Sequence, residues 1–319
     1  MISPKRLSIF SFAILLTVMC AASYVAAQQA PLAIKPLRPS QKASVMQTIG
    51  VTDITITYSR PPVNGRTIFA DAPATMEARA KGEATLDNQN ERKPGEPIVP
   101  YNHVWRAGAN EATLFQVTDD VLINGQPLKA GSYSLHTIPG KDEWTIIFNS
   151  DPGQWGSFTY DSKKDALRVK SKAQAVNDNQ EWLIYSFDPV TANSATVNMR
   201  WEKLRVPFTV EVKDVKAAWR AHADALIAAN PNSEVLPLQV AQTYFRDKNY
   251  DEALKFVDQS IKLKETFGNL STRAIILWGA GKKDEALKVA DAAIAKGKAD
   301  NVNTSAFEKR VADMKAGKL

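Results

Sequence analysis

Residues 121–137 read VLINGQPLKAGSYSLHT, and this stretch contains the pattern from which the fold of the first part of the chain follows. Asn124-Gly125 separates two short apolar runs, and this dipeptide is typical of the two-residue turn of a β-hairpin. After a second turn, Tyr133, Leu135 and Thr137 alternate with serine and histidine. Because a period of two places alternate side chains on one face, the stretch predicts successive antiparallel strands.

The same pattern continues on both sides of this stretch. Ile54, Ile56 and Tyr58 alternate with threonine and serine, and further strands are predicted at 144–149, 166–170, 182–187, 195–201 and 208–212. No long helical pattern separates these segments, which argues against a parallel, doubly wound sheet. Many short strands separated by turns predict an antiparallel β-sandwich or jelly roll.

The composition changes near Val212, where alanine, lysine, leucine and aspartate replace the β-branched and aromatic residues. Segments 241–261 and 274–294 align at an offset of 33 residues, with Ala253 matching Ala286. This repeat resembles the tetratricopeptide repeat, in which small residues lie where two helices cross. The prediction is therefore an α+β protein with segregated parts, a β-sandwich at 28–212 and a helical tetratricopeptide-like domain at 213–319.

The N-terminus has the composition of a secretory signal peptide. Lys5 and Arg6 precede an apolar run over residues 7–22, and small residues follow up to Ala27. This order predicts cleavage after Ala27 and a periplasmic or secreted protein with no stable membrane span, with an uncleaved anchor helix as the alternative. The single cysteine, Cys20, lies within the predicted signal peptide, so the mature chain has neither a disulfide nor a thiol nucleophile.

Charge and composition restrict the range of partners. Removal of residues 1–27 lowers the formal net charge from +6 to +4, and the basic residues are scattered. Because no basic stripe with interleaved aromatic residues is present, nucleic acid is not an expected partner. Residues 71–97 are polar and rich in proline and glycine, which predicts a long mobile loop with at most a short helix at 76–81.

Several short motifs resemble one known family. They are RPSQKA at 38–43, YSRP at 58–61, GR at 65–66 with IF at 68–69, VPY at 99–101, VWRAGANEAT at 104–113, AGSYSL at 130–135, EWT at 143–145, WG at 155–156 and YD at 160–161. Together they make residues 38–210 similar to a family of secreted bacterial proteins, the domain of unknown function 2911. The resemblance implies a fold and a compartment, but no established activity. Residues 71–97 are an insertion relative to that pattern.

The densest polar cluster of the β part predicts a ligand-binding site. The candidate residues are Arg60, Arg66, Tyr101, His103, Trp105, Arg106, Asn110 and Glu111. Arginine supplies a bidentate fork, the amide supplies mixed hydrogen bonds and the aromatic rings supply stacking faces, so the cluster suits a carboxylate, a sugar or a peptide terminus. The alternative is structural, with Arg106 and Glu111 forming a buried ion pair that fixes a corner of the sandwich.

Catalytic and metal-binding patterns are weak. His103, Glu111 and His136 are ligand types without the spacing of a metal motif, so no metal or other cofactor is expected. A Gly-x-Ser-x-Gly elbow is also missing from the sequence. The favoured function is a non-enzymatic module that binds a small molecule, a glycan or a peptide, with a helical tail that contacts a protein partner. The alternative is a carbohydrate-active or other envelope hydrolase that uses acids near Trp144 to Asp161.

Overall fold

The computed structural model describes residues 37–73 and 94–319. The chain divides into a short unit, Met1–Pro39, and a compact unit, Ser40–Leu319, that holds all the strands and helices given below. The predicted signal peptide and the short helix predicted at 76–81 lie outside the described residues. The described ends of the predicted loop, residues 71–73 and 94–97, contain no helix or strand.

The β part contains two antiparallel sheets that enclose one core. In chain order the strands are β1 (Gln41–Ile49), β2 (Thr52–Arg60), β3 (Phe69–Ala70), β4 (Val99–Pro100), β5 (Thr113–Val117), β6 (Val121–Ile123), β7 (Gln126–Leu128), β8 (Gly131–Ile138), β9 (Glu143–Asn149), β10 (Asp165–Lys172), β11 (Gln174–Val190) and β12 (Ser194–Glu211). The larger sheet has the order β1-β2-β5-β8-β9-β10, and the smaller has the order β11-β12-β6-β7. The short β3 and β4 pair in parallel. The predicted sandwich is confirmed.

Alternation along the strands places the apolar side chains between the sheets. Ile54 and Ile56 of β2 are buried, as are Phe115 of β5 and Phe148 of β9, and the smaller sheet contributes Trp201. The hairpin predicted at Asn124-Gly125 joins β6 to β7, and both residues have positive φ, as a tight hairpin turn requires. The core therefore forms where the period of two predicts it.

Strand β12 is longer than the sequence pattern predicts. The segments predicted separately at 195–201 and 208–212 belong to one strand, β12, because the chain continues through Glu202. Glu202 has a φ of 54° and lies at a register shift against β11, which is the geometry of a β-bulge. A bulge bends a strand and interrupts its ladder locally without ending it, so the two predicted segments form one continuous strand.

Six helices follow the sheets. They are α1 (Val215–Ala229), α2 (Val235–Arg246), α3 (Tyr250–Leu263), α4 (Phe267–Gly279), α5 (Lys283–Ala299) and α6 (Ser305–Lys315). Side-chain caps begin three of them, since Asp214, Asn249 and Thr266 each accept a hydrogen bond from an amide of the first turn. Ala253 and Ala286, the matching positions of the repeat, are both fully buried. The α+β arrangement is confirmed, and the tetratricopeptide assignment remains a prediction.

The first helix rests against the β part. A Cβ on Gly50, in the turn between β1 and β2, would lie 2.2 Å from Cγ1 of Val215, so the turn and α1 are in close contact. Nε2 of His222 donates to Oδ1 of Asp119 at 2.7 Å, which ties α1 to the β5–β6 connection. Among the helices of the described residues, none is both long and apolar enough to span a membrane.

Candidate binding site on the outer face of the larger sheet

A row of side chains, polar except for Leu114, crosses the outer face of the larger sheet. The strand register aligns Thr57 with Leu114, Leu114 with Ser134, Ser134 with Asn149, and Asn149 with Asp165. These side chains alternate with residues of the core, so they point away from it. A polar face of a sheet is normally hydrated, yet Ser134, His136 and Asn149 are fully buried. Another segment must therefore cover this part of the sheet.

That segment is residues 150–164, the covering loop, which connects β9 to β10. Nδ2 of Asn149 donates to the carbonyl of Asp161 at 2.9 Å, and Oδ1 of Asn149 accepts from the amide of Asp151 at 3.1 Å. Asn149 thus joins both ends of the loop to the sheet. Because buried polar groups require partners, the loop and the polar row stabilise each other.

Gln154 is the residue through which the middle of the covering loop contacts the sheet. It is buried, and its Nε2 lies 3.1 Å from Oδ1 of Asn149 and 3.3 Å from Oγ of Ser134. The ring of Tyr160 packs at 5.0 Å on His136, centroid to centroid. The hydroxyl of Tyr160 donates to Asp165 at 2.8 Å, so the C-terminal part of the loop is also held down.

A second segment, residues 106–112, lies beside the covering loop; it is called the motif segment here. The amide of Gly156 donates to the carbonyl of Asn110 at 3.0 Å, and the amide of Ala112 donates to the carbonyl of Gln154 at 3.0 Å. Glu111 and Trp155 therefore form a β-bridge. Two segments that are about 45 residues apart in the sequence meet at one place on the sheet.

The motif segment is anchored by hydrogen bonds from two buried residues, Thr113 and Tyr185. The carbonyl of Ala107 accepts hydrogen bonds from the hydroxyls of Thr113, at 2.9 Å, and Tyr185, at 2.8 Å. Burial raises the pKa of Tyr185, so its hydroxyl remains a neutral donor. A Cβ on Gly108 would lie 2.8 Å from Oγ1 of Thr113 and 3.3 Å from a backbone oxygen of β2, so only glycine fits this close approach.

A pocket of about 150 Å³ lies where the two segments meet β1 and β2. Its polar walls carry Lys42, Thr57, Ser59, Glu111 and Gln154, and its apolar walls include Leu114 and Pro152. Lys42 is exposed, whereas Oε2 of Glu111 is enclosed by protein. Trp155, which neighbours Gln154 and bridges Glu111, is 53% exposed. The walls of the pocket thus combine both signs of charge, hydroxyls and an amide, and the exposed indole of Trp155 belongs to the residue that follows Gln154, outside the lining.

The structure distributes the predicted site residues over several places. Glu111 lines the pocket, and Asn110 lies beside it with Nδ2 donating to the carbonyl of Ser40 at 3.0 Å. Arg106 is half-buried in the same segment, with its Nε enclosed. Trp105 is buried in the core, where its ring stacks on Trp201 at 5.8 Å, so it packs rather than presenting a face to ligand.

Three of the remaining candidates, Arg60, Arg66 and His103, donate side-chain hydrogen bonds to backbone carbonyls away from the pocket, and Tyr101 supplies one of those carbonyls. Nε of Arg60 donates to the carbonyl of Leu183 at 2.9 Å and joins the two sheets, and Nε of Arg66 donates to Val63 at 3.1 Å. His103 is buried, with Nδ1 donating to the carbonyl of Tyr101 at 2.8 Å. None of these residues lines the pocket. Lys42, Ser59 and Gln154 do line it, although the sequence pattern did not select them.

Of the four acids considered for hydrolysis, Asp142, Glu143, Asp151 and Asp161, the last three are held by neighbouring groups. Asp151 forms an ion pair with Lys164 at 2.9 Å, Glu143 pairs with Lys170 at 3.3 Å, and Asp161 accepts the amide of Lys163 at 3.0 Å. Within residues 37–73 and 94–319, no three histidine, cysteine, aspartate or glutamate side chains form a group that could hold a metal ion.

Comparison with known proteins adds one result. Residues 85–210 match the family described as "Protein of unknown function (DUF2911)". The DUF2911 match contains both the motif segment and the covering loop, and it begins later than residue 38, where the resemblance in short motifs begins. No curated protein and no solved structure matches the chain.

Proposed function

We propose that this protein is an exported, non-enzymatic binding protein whose ligand is a neutral polyhydroxylated molecule, such as one residue of a glycan. The observation that carries the proposal is the pocket between the motif segment and the covering loop, with Trp155 exposed beside it. Both segments lie in the region that matches DUF2911.

The chemistry of the pocket suits hydroxyl groups better than an ion. Lys42 supplies donors, Glu111 supplies acceptors, and Ser59 can do either. The opposite charges of Lys42 and Glu111 leave the pocket without a preference for a net charge of either sign, whereas a sugar hydroxyl can both donate and accept. An indole face beside such groups provides apolar contact for a sugar ring. The volume is below the range of about 300 to 1,000 Å³ typical of drug-sized ligands, so one small ring is the appropriate size.

Binding is favoured over hydrolysis because of the state of the nearby acids. Retaining and inverting glycosidases need two carboxyl groups that face the same bond. Here Asp151 and Glu143 pair with lysines on the surface, and among the described residues that line the pocket Glu111 alone carries a carboxylate. A single carboxylate can orient a hydroxyl without cleaving a glycosidic bond.

The proposal has a direct test. The mature chain, residues 28–319, is screened on a glycan array, and the best-bound glycan is titrated by calorimetry. Trp155→Ala and Glu111→Gln should each weaken binding about tenfold or more, because stacking and hydroxyl contacts are lost. Trp182→Ala is the matched control, since Trp182 is also a partly exposed indole but lies on β11. Binding that Trp155→Ala leaves unchanged, or no bound glycan, would refute the proposal.

Export and an interaction role for the helices complete the proposed function. The basic start, the apolar run and the small residues before Gln28 support export to the periplasm or beyond. Mass spectrometry of the protein from the cell envelope should find an N-terminus at or near Gln28, and an intact Met1 in the cytoplasmic fraction would refute export. The helical tail is proposed to contact a protein partner.

A further inference from the structure

An apolar groove lies between α1 and α2, far from the pocket described above. Two adjoining cavities of about 280 and 380 Å³ share Val51, Trp219 and Thr243, so they form one continuous groove. The turn between β1 and β2 lies at one end, where the start of α1 meets the end of α2. The groove then runs along both helices towards the end of α1 and the start of α2.

The walls of the groove have helical spacing. On α1 they carry Trp219, His222, Ala223 and Leu226, and on α2 they carry Leu236, Gln239, Val240 and Thr243. Both sets follow the spacing i, i+3, i+4, i+7, which is one continuous face of a helix. With Val215, Ile227 and Arg246 included, the groove extends over 13 residues of α1 and 11 of α2, or about 16 to 20 Å at 1.5 Å per residue. Its length corresponds to about three turns of a third helix.

The two ends of the helical array differ in how they are covered. At the C-terminal end, α6 buries Phe307, Val311 and Met314 against the preceding helices. At the N-terminal end, α1 has no fully buried residue, although its Trp219, Ala223 and Ile227 pack partly against the core of α2 and α3. Arrays of this kind require a covering element at each end. Among the described residues, no helix covers the groove.

Exposed apolar side chains lie at the open end of the groove. Leu226, in its wall, is 55% exposed, and Val235, the first residue of α2, is 49% exposed. Exposed single leucines are common on protein surfaces, but an apolar patch continuous with a groove is typical of a binding surface.

Basic side chains predominate at the end of the groove that lies beside the turn between β1 and β2. Lys216 and Arg246 line the groove beside the turn together with one acid, Asp247, which pairs with Lys216 at 2.7 Å and whose pKa is lowered by that hydrogen bond and also by Arg246. An acidic side chain, or the negative end of a helix dipole, would be stabilised there. The groove therefore favours an occupant with one apolar face and an acidic C-terminal turn.

From these features we infer that the groove binds an amphipathic helix of about three turns from a partner protein, with its C-terminus at Arg246. The inference deepens the proposed interaction role of the helices and is independent of the glycan pocket. Anchor residues at i, i+3 or i+4, and i+7 of the partner lie between the two walls. An acidic residue in its last turn faces Arg246.

The test uses a display library of 14-residue helical peptides selected on the mature chain. Enriched peptides should share the apolar spacing and an acidic C-terminal turn. Leu226→Glu should weaken their binding about tenfold or more, because it places a charge in an apolar contact. Leu263→Glu is the matched control, since Leu263 is an apolar side chain, 40% exposed, at the end of α3 and outside the groove. Arg246→Glu should also weaken binding, and peptides with lysine in place of the acidic residue should restore it.

The other outcomes overturn the inference in distinguishable ways. Peptides that lose affinity for Leu263→Glu but not for Leu226→Glu would place the interaction elsewhere on the helices and leave the proposed tail role intact. Failure to enrich any helical peptide would refute both the binding of a helix in the groove and the proposed interaction role of the helical tail. A dimer detected by light scattering that Leu226→Glu converts to a monomer would assign the groove to a second copy of the chain. Titration of the same variants with the bound glycan measures the affinity of the pocket, so a failure of the glycan proposal can be told apart from a failure of the groove inference.

Discussion

Asn149→Ala tests whether the covering loop depends on the polar row beneath it. The side chain is fully buried and makes four hydrogen bonds: to the carbonyl of Asp161, to a carboxylate oxygen of Asp165, from the amide of Asp151 and from Gln154. Each bond contributes about 0.5 to 1.5 kcal/mol net. Asp165 and Gln154 keep other partners, and the groups at the loop ends can recruit water. The expected loss of unfolding free energy is therefore about 2 to 4 kcal/mol.

Two measurements check this value. Urea unfolding followed by tryptophan fluorescence gives the global loss. Limited trypsin digestion under native conditions reports on the loop itself, because Lys163 and Lys164 are cleavage sites within it. A loss of about 3 kcal/mol corresponds to about a hundredfold increase in the open population, and in cleavage there.

Ser150→Ala is the matched control, since it removes one exposed hydrogen bond, to the carbonyl of Lys164, from the same loop. It should change stability by less than about 0.5 kcal/mol. A loss below about 1 kcal/mol for Asn149→Ala, with unchanged cleavage, would show that the loop is held by other contacts.

Three further predictions concern other parts of the molecule. Gly108→Ala should cost about 1 to 3 kcal/mol in urea unfolding because its Cβ would lie 2.8 Å from a hydroxyl oxygen; Gly153→Ala, whose Cβ meets nothing within 4 Å, should be neutral. Ala253→Leu should cost about 1 to 3 kcal/mol by overpacking α3, and an unchanged melting temperature would contradict the helix crossing. Burial would raise the pKa of Asp119, but hydrogen bonds, including one from His222, lower it overall. The free energy of unfolding that the lowered pKa of Asp119 contributes is present above about pH 4 and is lost as the pH falls through the folded pKa. Asp119→Asn should cost less than about 1 kcal/mol at pH 7, and a larger loss at pH 3 than at pH 7 would contradict it.

The fold could be predicted from the sequence because its signals are local. The alternation around Ile54 and Ile56 and the Asn124-Gly125 turn depend only on neighbouring residues, and both have their predicted structure. The single strand β12 could not be predicted, because its continuity depends on a bulge at Glu202 that pairing with β11 determines. Pairing between distant segments is not encoded in a local pattern.

The candidate site was predicted only in part for the same reason. Glu111 was selected because it belongs to a dense polar motif, and it lines the pocket. Trp105 was selected on the same ground, but its ring is in the core. Gln154 and Lys42 lie in segments that the sequence separates by more than a hundred residues, and only the folded sheet brings them together. No spacing rule connects such positions.

The position of β2 has a consequence for the limits of the folding unit. Residues 85–210 match DUF2911, yet β2 lies between β1 and β5 in the larger sheet and precedes that segment. A recombinant fragment that starts at residue 85 would lack Ile54 and Ile56 and would leave one side of β5 unpaired. An unpaired strand next to an opened apolar core favours aggregation. We therefore expect an independently folding fragment to begin near residue 40, because the larger sheet includes β1 and β2, which precede the residues that match DUF2911.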